Sequence, residues 1–264
     1  MNWIRRTGAE FLTPAFERAG FGVWLAGRSL LLLPHLLPRR RSFLDQLYLA
    51  GVKSLHVTLF VAFFVGMIVA MQVGIELARF GQQELIGPLV AESLTREMAP
   101  FVTCVILAAS VASAMAAELG TMRVQEELTA LEVMSVDTVS FLVVPRVFAL
   151  TLMAPVLTFL ADVVGILGGG VIAGTQLGLD FTGYLNAVLE QLAGTDVLGL
   201  PHSLYSGLLK ALVFGFTIAV VGCASGMGAR GGAAGVGQTT RSAVRNSIIL
   251  IIVLNFFLGK ALHP

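Results

Sequence analysis

The sequence predicts an all-α integral membrane protein with an amino-terminal interfacial helix, five transmembrane helices and a charged cytoplasmic helix between spans two and three. Three observations lead to this prediction: 56% of the 264 residues are hydrophobic, only 12% are charged, and the mean hydropathy is +0.86. Soluble domains carry about 25% charged residues. Each span needs about 20 apolar residues, so five spans occupy most of the chain and one integral domain is expected.

The apolar segments set the expected bounds. We expect a cytoplasmic or interfacial amphipathic segment at 1–46 and an integral domain at 47–264, with spans at about 53–75, 98–117, 141–177, 203–224 and 243–260. Mixed or polar sequence between them predicts a loop with short helical pieces at 74–97, a polar connection at 178–202 and a glycine-rich connection at 225–241. The chain therefore crosses the membrane an odd number of times, and its termini lie on opposite sides.

The third span is longer than a bilayer requires. It contains Pro145 and Pro155, which predicts a tilted or kinked helix. Gly165 and Gly169 form a small-xxx-small pattern, which favours a tight helix crossing. We expect this crossing to lie within the subunit.

The amino-terminal segment predicts an imperfect amphipathic helix. Phe16, Ala19, Gly20, Val23 and Leu30 fall near one helical face, Glu17 and Arg28 lie off it, and Leu25 interrupts the polar side. With Trp24 and flanking arginines, this pattern is typical of a helix that lies on the membrane surface, and the alternative is a loosely structured basic tail. A signal peptide is excluded, because Pro34 and Pro38 interrupt the apolar run and Arg39–Arg41 occupy the place of small cleavage-site residues.

Basic residues predict the orientation, since short loops rich in Lys and Arg stay in the cytoplasm. With the amino terminus inside, the cytoplasmic side holds eight basic residues in 1–53, together with Arg123, Arg146, Arg230, Arg241 and Arg245. The other side holds only Arg79, Arg96 and Lys260. The carboxyl terminus is therefore expected on the periplasmic side.

A charged segment at 116–137 separates spans two and three. It carries six charges: Glu118, Arg123, Glu126, Glu127, Glu132 and Asp137. As a single helix it would have one narrow apolar stripe, made of Val124, Leu128 and Leu131, and a polar surface elsewhere, so it cannot span. Two interpretations remain open: a solvated connecting helix, or a coupling helix that transmits force from a cytoplasmic ATPase.

Two local features of this segment can be predicted. Arg123 lies four residues before Glu127, a spacing that supports an ion pair of about 0.2–0.5 kcal/mol on an exposed helix. Gly120 stands where span two has to bend into the charged helix.

Four motifs resemble the MlaE family of bacterial ABC transporter permeases. The run from Glu118 to Leu131 is similar to the family signature E-x-G-x-M-x-V-x-E-Q-x-D-A-L, with Glu127 in place of Gln and Thr129 in place of the frequent acid. The similarity continues in Val144-Pro145-Arg146, in 210–215 and in 232–240, where Ala234 and Gln238 depart from the usual acidic and basic residues. The resemblance covers roughly 40–262.

The resemblance implies a permease subunit that works with MCE-domain proteins and moves phospholipid or a related lipid. It implies a homodimer in the bacterial inner membrane, an MlaE-type permease domain at 47–264, a separate cytoplasmic ABC ATPase and a periplasmic MCE-protein assembly. The expected ATPase-coupling residues are Glu118, Gly120, Arg123, Glu126, Glu127 and Leu131. The expected lipid-binding residues are Arg96, Glu97 and Lys210, around a cavity between two copies.

Charges within the spans support part of this picture independently. A charge such as Lys210 near mid-membrane costs about 2.5–3.5 kcal/mol on insertion scales, so it usually faces a cavity or a partner. The alternatives are a lysine that snorkels to the interface and, for Arg96 and Glu97, ordinary interfacial charges. Asp162 is the other deep acid, and it either pairs with Lys210 or caps a neighbouring backbone group.

Several other activities are excluded or disfavoured. The chain has no Walker A motif, so it is not expected to be an enzyme that hydrolyses ATP, and Gly226–Gly231 satisfies G-x-G-x-x-G only after a membrane helix, where no dinucleotide site forms. Cys104 and Cys223 lie in apolar runs and predict two buried thiols, without metal or cofactor.

Two functional alternatives remain. One is an ion-coupled secondary transporter of an amphipathic solute, with Asp162, Lys210 and Glu97 as the ion path. Such transporters usually contain internal repeats, and none is found in the five spans. The other is a structural membrane anchor for a periplasmic complex.

Overall fold

The computed structural model describes residues 13–34, 40–176, 178–193 and 201–262. Within these residues all regular structure is helical, and five helices are long and apolar enough to cross a membrane. The predicted all-α, five-span class is therefore confirmed. The side chains of Phe16 and Arg18, and the residues Pro38 and Arg39, lie outside the described part.

The described residues form eight helices. They are α1 Thr13–Leu31, α2 Arg40–Phe80, α3 Gln83–Val124, α4 Glu127–Val133, α5 Val139–Gln176, α6 Phe181–Leu192, α7 His202–Met227 and α8 Gly232–Leu262. The five candidate spans are α2, α3, α5, α7 and α8, and they overlap the five predicted apolar segments in order. The predicted boundary between 46 and 47 lies inside α2 and stays a prediction.

The predicted loop at 74–97 is wrong, because helical structure covers most of it. Helix α2 continues to Phe80, and α3 begins at Gln83 after a two-residue break. Gly81 ends α2 in the left-handed region at φ 69°, and its N–H bonds the Ala78 carbonyl, which is a glycine C-cap. Pro88 does not break α3, because it lies in the first turn of the α-helical stretch Ile86–Ser93, where its missing N–H is not needed.

The predicted glycine-rich connection at 225–241 is also much shorter than expected. Helix α7 runs to Met227 and α8 begins at Gly232. Gly231 and Gly232 have φ values of 84° and 69°, so the turn depends on glycine at these two positions. The later glycines lie inside α8, because the low helix propensity of glycine is a weak preference that surrounding sequence overrides.

The described residues divide into two compact units. Unit 1 is drawn from 1–49, 108–150 and 216–250, and unit 2 from 50–107, 151–215 and 251–264. In unit 1, small residues allow α3 and α7 to approach closely. A Cβ atom on Gly226 would lie 2.8 Å from the Leu119 Cβ and 2.9 Å from the Ala116 carbonyl oxygen.

Unit 2 is organised around the crossing of α2 and α5. Buried small residues recur every four positions along α2: Ser54, Thr58, Ala62, Gly66, Ala70 and Gly74. Gly66 lies directly against the Gly165 backbone, and a Cβ on Gly66 would overlap the Gly165 carbonyl. The predicted crossing at Gly165 within the subunit is confirmed. Beyond it, Tyr184 of α6 donates from its hydroxyl to the Ile166 carbonyl at 3.3 Å and closes an apolar cluster with α3.

Helix α1 uses its predicted polar side for packing. Leu25 and Ser29 are buried, whereas Val23 and Leu30 are exposed. The helix packs against the first turn of α5, Val139–Val143. Leu25 therefore anchors α1, and Val23 and Leu30 of the predicted apolar face are exposed in this chain.

Gly66→Ala is expected to destabilise the protein by about 1–3 kcal/mol, because the added methyl group overlaps backbone that cannot move aside. Gly237→Ala is the matched control, since Gly237 has open space around it and lies inside α8. Thermal unfolding can be followed in detergent with a thiol-reactive dye that reports exposure of the buried Cys104 and Cys223. Equal melting temperatures for the two variants would contradict the tight crossing.

Candidate functional site

A buried lysine and a glutamate form the centre of the candidate site in unit 2. The Lys210 Nζ donates to Glu97 Oε1 at 2.5 Å and to the Arg96 carbonyl at 3.2 Å. Lys210 is fully buried, and the Glu97 side chain is 35% exposed. The structure thus brings the three predicted residues Arg96, Glu97 and Lys210 together.

Local helix geometry places these groups. Residues Leu94–Met98 form a π-helical turn in α3, a feature frequent at functional sites, and Arg96 and Glu97 both lie in it. Gly207, one turn before Lys210, lies against the Thr95 carbonyl without room for a side chain. Helix α7 therefore approaches α3 closely enough for Lys210 to reach both acceptors.

Helix α8 contributes a residue that sequence reasoning missed. Asn255 Nδ2 donates to Glu97 Oε2 at 3.1 Å, so both oxygens of the Glu97 carboxylate are held. Gly259, one turn later, leaves space beside the pair, because a Cβ there would lie 3.7 Å from Glu97 Oε1 and 3.8 Å from Lys210 Nζ. The available signal was an amide within the apolar run 248–258, which is itself an indication of function.

An open pocket of about 280 Å³ adjoins the ion pair. It is lined by Leu89, Glu92, Ser93, Arg96, Glu97 and Met98. Arg96 Nη1 contacts Glu92 Oε1 at 3.3 Å, and both side chains are partly exposed. The pocket therefore combines apolar walls with one guanidinium and two carboxylates, a set that suits an amphipathic molecule.

Asp162 belongs to neither of its predicted arrangements. Lys210 pairs with Glu97 instead. Neither oxygen of the Asp162 carboxyl has a hydrogen-bond partner among the described residues, so it caps no backbone group either.

The charged segment in unit 1 is two helices and not one. Helix α3 ends at Val124 and α4 begins at Glu127. Between them Glu126 adopts φ 62°, a left-handed conformation uncommon for a residue other than glycine. The prediction of one continuous helix is wrong, because helical phase is lost at this break, but the predicted apolar residues Val124, Leu128 and Leu131 are all buried or partly buried.

The contacts within this segment also differ from those predicted. Gly120 lies inside the α-helical stretch Ser113–Val124, buried against Ala229 and Val236, so the helix does not end there. The described residues contain no Arg123–Glu127 ion pair; Arg146 Nη2 pairs with Glu118 Oε1 at 3.0 Å instead.

The surface of the segment is nevertheless polar, as predicted. Arg123, Glu126 and Glu127 are exposed, whereas Leu128 is buried and anchors α4, and Leu131 is partly buried. After α4, Asp137 accepts from Arg28 Nη2 at 3.2 Å, which ties α1 to the start of α5. The Arg28 guanidinium also lies 5.0 Å from the centre of the Trp24 ring.

The fold and the site define a helical multi-pass membrane protein with paired charges inside its spans, the class to which transport subunits belong. A family model described as Permease MlaE matches residues 43–261. The chain therefore belongs to the MlaE permease family. It is expected, like other permeases of ABC transporters, to act as a transport subunit without catalytic chemistry of its own.

Individual relatives agree with this assignment. A probable ABC transporter permease protein of Synechocystis sp. is 41% identical over 92% of this chain and 90% of the relative. One from Rickettsia prowazekii is 39% identical over 81% of this chain and 80% of the relative. The Arabidopsis thaliana protein named TRIGALACTOSYLDIACYLGLYCEROL 1, chloroplastic, is 35% identical over 83% of this chain and 61% of the relative.

Glu118→Ala is expected to lower the free energy of unfolding by about 1–3 kcal/mol, because it leaves the largely buried Arg146 guanidinium without its carboxylate. Glu127→Ala is the control, since that side chain is exposed and forms no ion pair with described residues. Thermal unfolding of the isolated permease measures both. A Glu127→Ala variant that loses as much stability as Glu118→Ala would show that the pair contributes nothing specific.

Proposed function

We propose that this chain is the permease subunit of an ABC transporter that moves phospholipid or a related lipid between the inner membrane and a periplasmic MCE-protein assembly. ATP is hydrolysed by a separate cytoplasmic subunit, and two copies of the permease form a homodimer. The observation that carries the proposal is the buried Lys210–Glu97 pair beside an open pocket in membrane-spanning helices. Family membership and a relative named after a glycerolipid support it.

The charged groups in and beside the pocket have different roles. Lys210 is already neutralised by Glu97, and Asn255 fixes that carboxylate from the other side. Arg96 is the more available cation, because its contact with Glu92 is partly exposed, and exposed pairs are worth only about 0.2–1 kcal/mol. A headgroup phosphate therefore binds Arg96 by displacing Glu92, since guanidinium recognises phosphate in two-point geometry. Acyl chains lie against Leu89, Met98 and the apolar span surfaces.

The polar surface of 118–133 is the proposed ATPase contact. Its exposed charges, Arg123, Glu126 and Glu127, offer hydrogen-bonding groups to a partner, while Leu128 holds α4 in place. The Glu118–Arg146 pair links the end of α3 to α5, so displacement of the docked segment pulls on α5 as well as α3. This arrangement requires the segment and the amino terminus in the cytoplasm and the carboxyl terminus in the periplasm.

Lys210→Ala is expected to abolish lipid transfer, because it leaves Glu97 as an unpaired carboxylate beside the pocket. The complex should stay assembled, since the change lies far in sequence from the ATPase-coupling residues. Transfer of a labelled phospholipid can be measured with the permease, its ATPase and the MCE protein reconstituted in liposomes. Lys260→Ala is the control, because Lys260 is exposed near the end of α8. Wild-type transfer by Lys210→Ala would refute the assigned site.

Glu126→Lys combined with Glu127→Lys is expected to detach or uncouple the ATPase, because the change reverses two exposed charges on the proposed contact. Co-purification of the ATPase and its stimulated hydrolysis are the measurements. Glu76→Lys is a control with an equally exposed glutamate on α2, on the opposite side in the proposed orientation. An ATPase that binds and hydrolyses normally with the double variant would contradict the coupling assignment.

A further inference from the structure

Three buried oxygen atoms on one face of α5 lack hydrogen-bond partners among the residues that the structure describes. Asp162 is only 2% exposed, and neither of its carboxyl oxygens has a partner among the described residues. Thr158, one helical turn earlier, is fully buried, and its hydroxyl is likewise unpartnered within the described part of the chain. Positions four apart on a helix share a face, so the acid and the hydroxyl are neighbours.

Among the described residues no basic side chain forms an ion pair with Asp162, and α2 and α3 pack against this part of α5 through small residues. Ala161 packs with Ala62 of α2 and Ala99 of α3, and Gly165 packs against Gly66. Thr58 lies on the same buried stripe of α2 as Ala62, but its hydroxyl donates to the Ser54 carbonyl. At the two positions that flank Asp162 on α5, Ala161 and Gly165, the described contacts are therefore made by methyl groups and glycine backbone.

The acidic and basic groups elsewhere in unit 2 are engaged or exposed. Among the described residues of α2, α3, α7 and α8 in this unit, Glu92 pairs with Arg96, Glu97 with Lys210 and Glu76 with Arg79, whereas Lys53, His56, Glu84, His202 and Lys260 are exposed. The buried thiol of Cys104 in α3 lies within reach of the Ala211 carbonyl. None of the described ion pairs of the unit includes Asp162.

An ionised carboxylate in such a place is costly. Even after relaxation, burying an unpaired ion costs several kcal/mol, and buried groups of this kind become neutral instead. Binding one proton removes the charge and turns one carboxyl oxygen into a donor. Ca²⁺ or Mg²⁺ is a poor alternative, because each takes about six or more oxygen ligands and only three unpartnered oxygens of the described residues are found on this face of α5.

We propose that Asp162 is a proton-binding site, in which one carboxyl oxygen carries a proton at neutral pH, and the unpartnered Thr158 hydroxyl lies on the same face of α5 one turn away. Binding forms one O–H bond on the carboxyl group and breaks one O–H bond of the hydronium ion that delivers the proton, which leaves as water. The proton leaves when water reaches this face of α5 and solvates the carboxylate. The site is separate from the Lys210–Glu97 pair and does not depend on the proposed lipid function.

Infrared spectroscopy of the full-length permease in lipid bilayers tests this directly. Protein labelled with carbon-13 in the aspartate carboxyl is expected to show a protonated-carboxyl band at neutral pH that shifts with the label and is absent from Asp162→Asn. Asp180→Asn is the control and should keep the band. The Asp180 carboxylate accepts a hydrogen bond from the Thr182 hydroxyl, which holds the pKa of that exposed carboxyl below its usual range, so it is ionised at neutral pH.

Two results would overturn the proposal. Absence of a label-sensitive protonated band at neutral pH would mean that Asp162 is ionised. A band that appears only when sodium is replaced by a larger cation would mean that a metal ion occupies the site. If Asp162→Asn fails to fold, Asp162→Glu serves instead: the protonated band should remain but lose its sensitivity to the aspartate label, and a band that stays label-sensitive would assign the proton elsewhere.

Discussion

The burial of one positive charge constrains unit 2 more than any other interaction. Lys210 is fully buried, so its ammonium needs acceptors at fixed positions, and α3 provides two of them, the Glu97 carboxylate and the Arg96 carbonyl. The π-helical turn in α3, the missing side chain at Gly207 and the amide of Asn255 all serve this requirement. Changing any of these features would leave a charged or polar group without its partner in an apolar environment, where the free-energy cost of an unpaired polar group is high. Because Glu97 neutralises Lys210, the pocket beside Arg96 does not have to supply a counter-ion for the lysine.

Close backbone contact is the second constraint, and it operates in both units. Apolar side chains gain little by leaving lipid for protein, so packing between spans depends on shape. Gly226 in unit 1 and Gly66 in unit 2 each lie against backbone atoms of a neighbouring helix. Lack of space for a side chain therefore explains why glycine occurs at these two positions. It does not explain Gly237, which has open space around it.

Composition and apolar periodicity were sufficient to predict the helical class and five spans, because each crossing needs a long apolar run. Intramembrane charge singled out Lys210, and the motif resemblance added Arg96 and Glu97. Loop lengths were overestimated, since interfacial charges such as Glu92 and Arg96 remain compatible with a continuing helix. The break at Glu126 could not be predicted, because a left-handed glutamate has no signature in helical phasing. Asn255 was missed because its role comes from a partner 158 positions away.

The crossing at Gly66 and Gly165 has a mechanical consequence. Where two helices touch backbone to backbone, neither can rotate about its own axis without bringing a side chain into the contact. Neither can slide along the other without separating the two glycines first. Helices α2 and α5 are thus locked in rotation at this level, and only a hinge or a piston movement shared by both remains open to them. A transporter built this way would change shape by moving α2 and α5 together as a packed pair. The backbone rotation that this movement needs would then occur in turns such as those at Gly81 and Gly231.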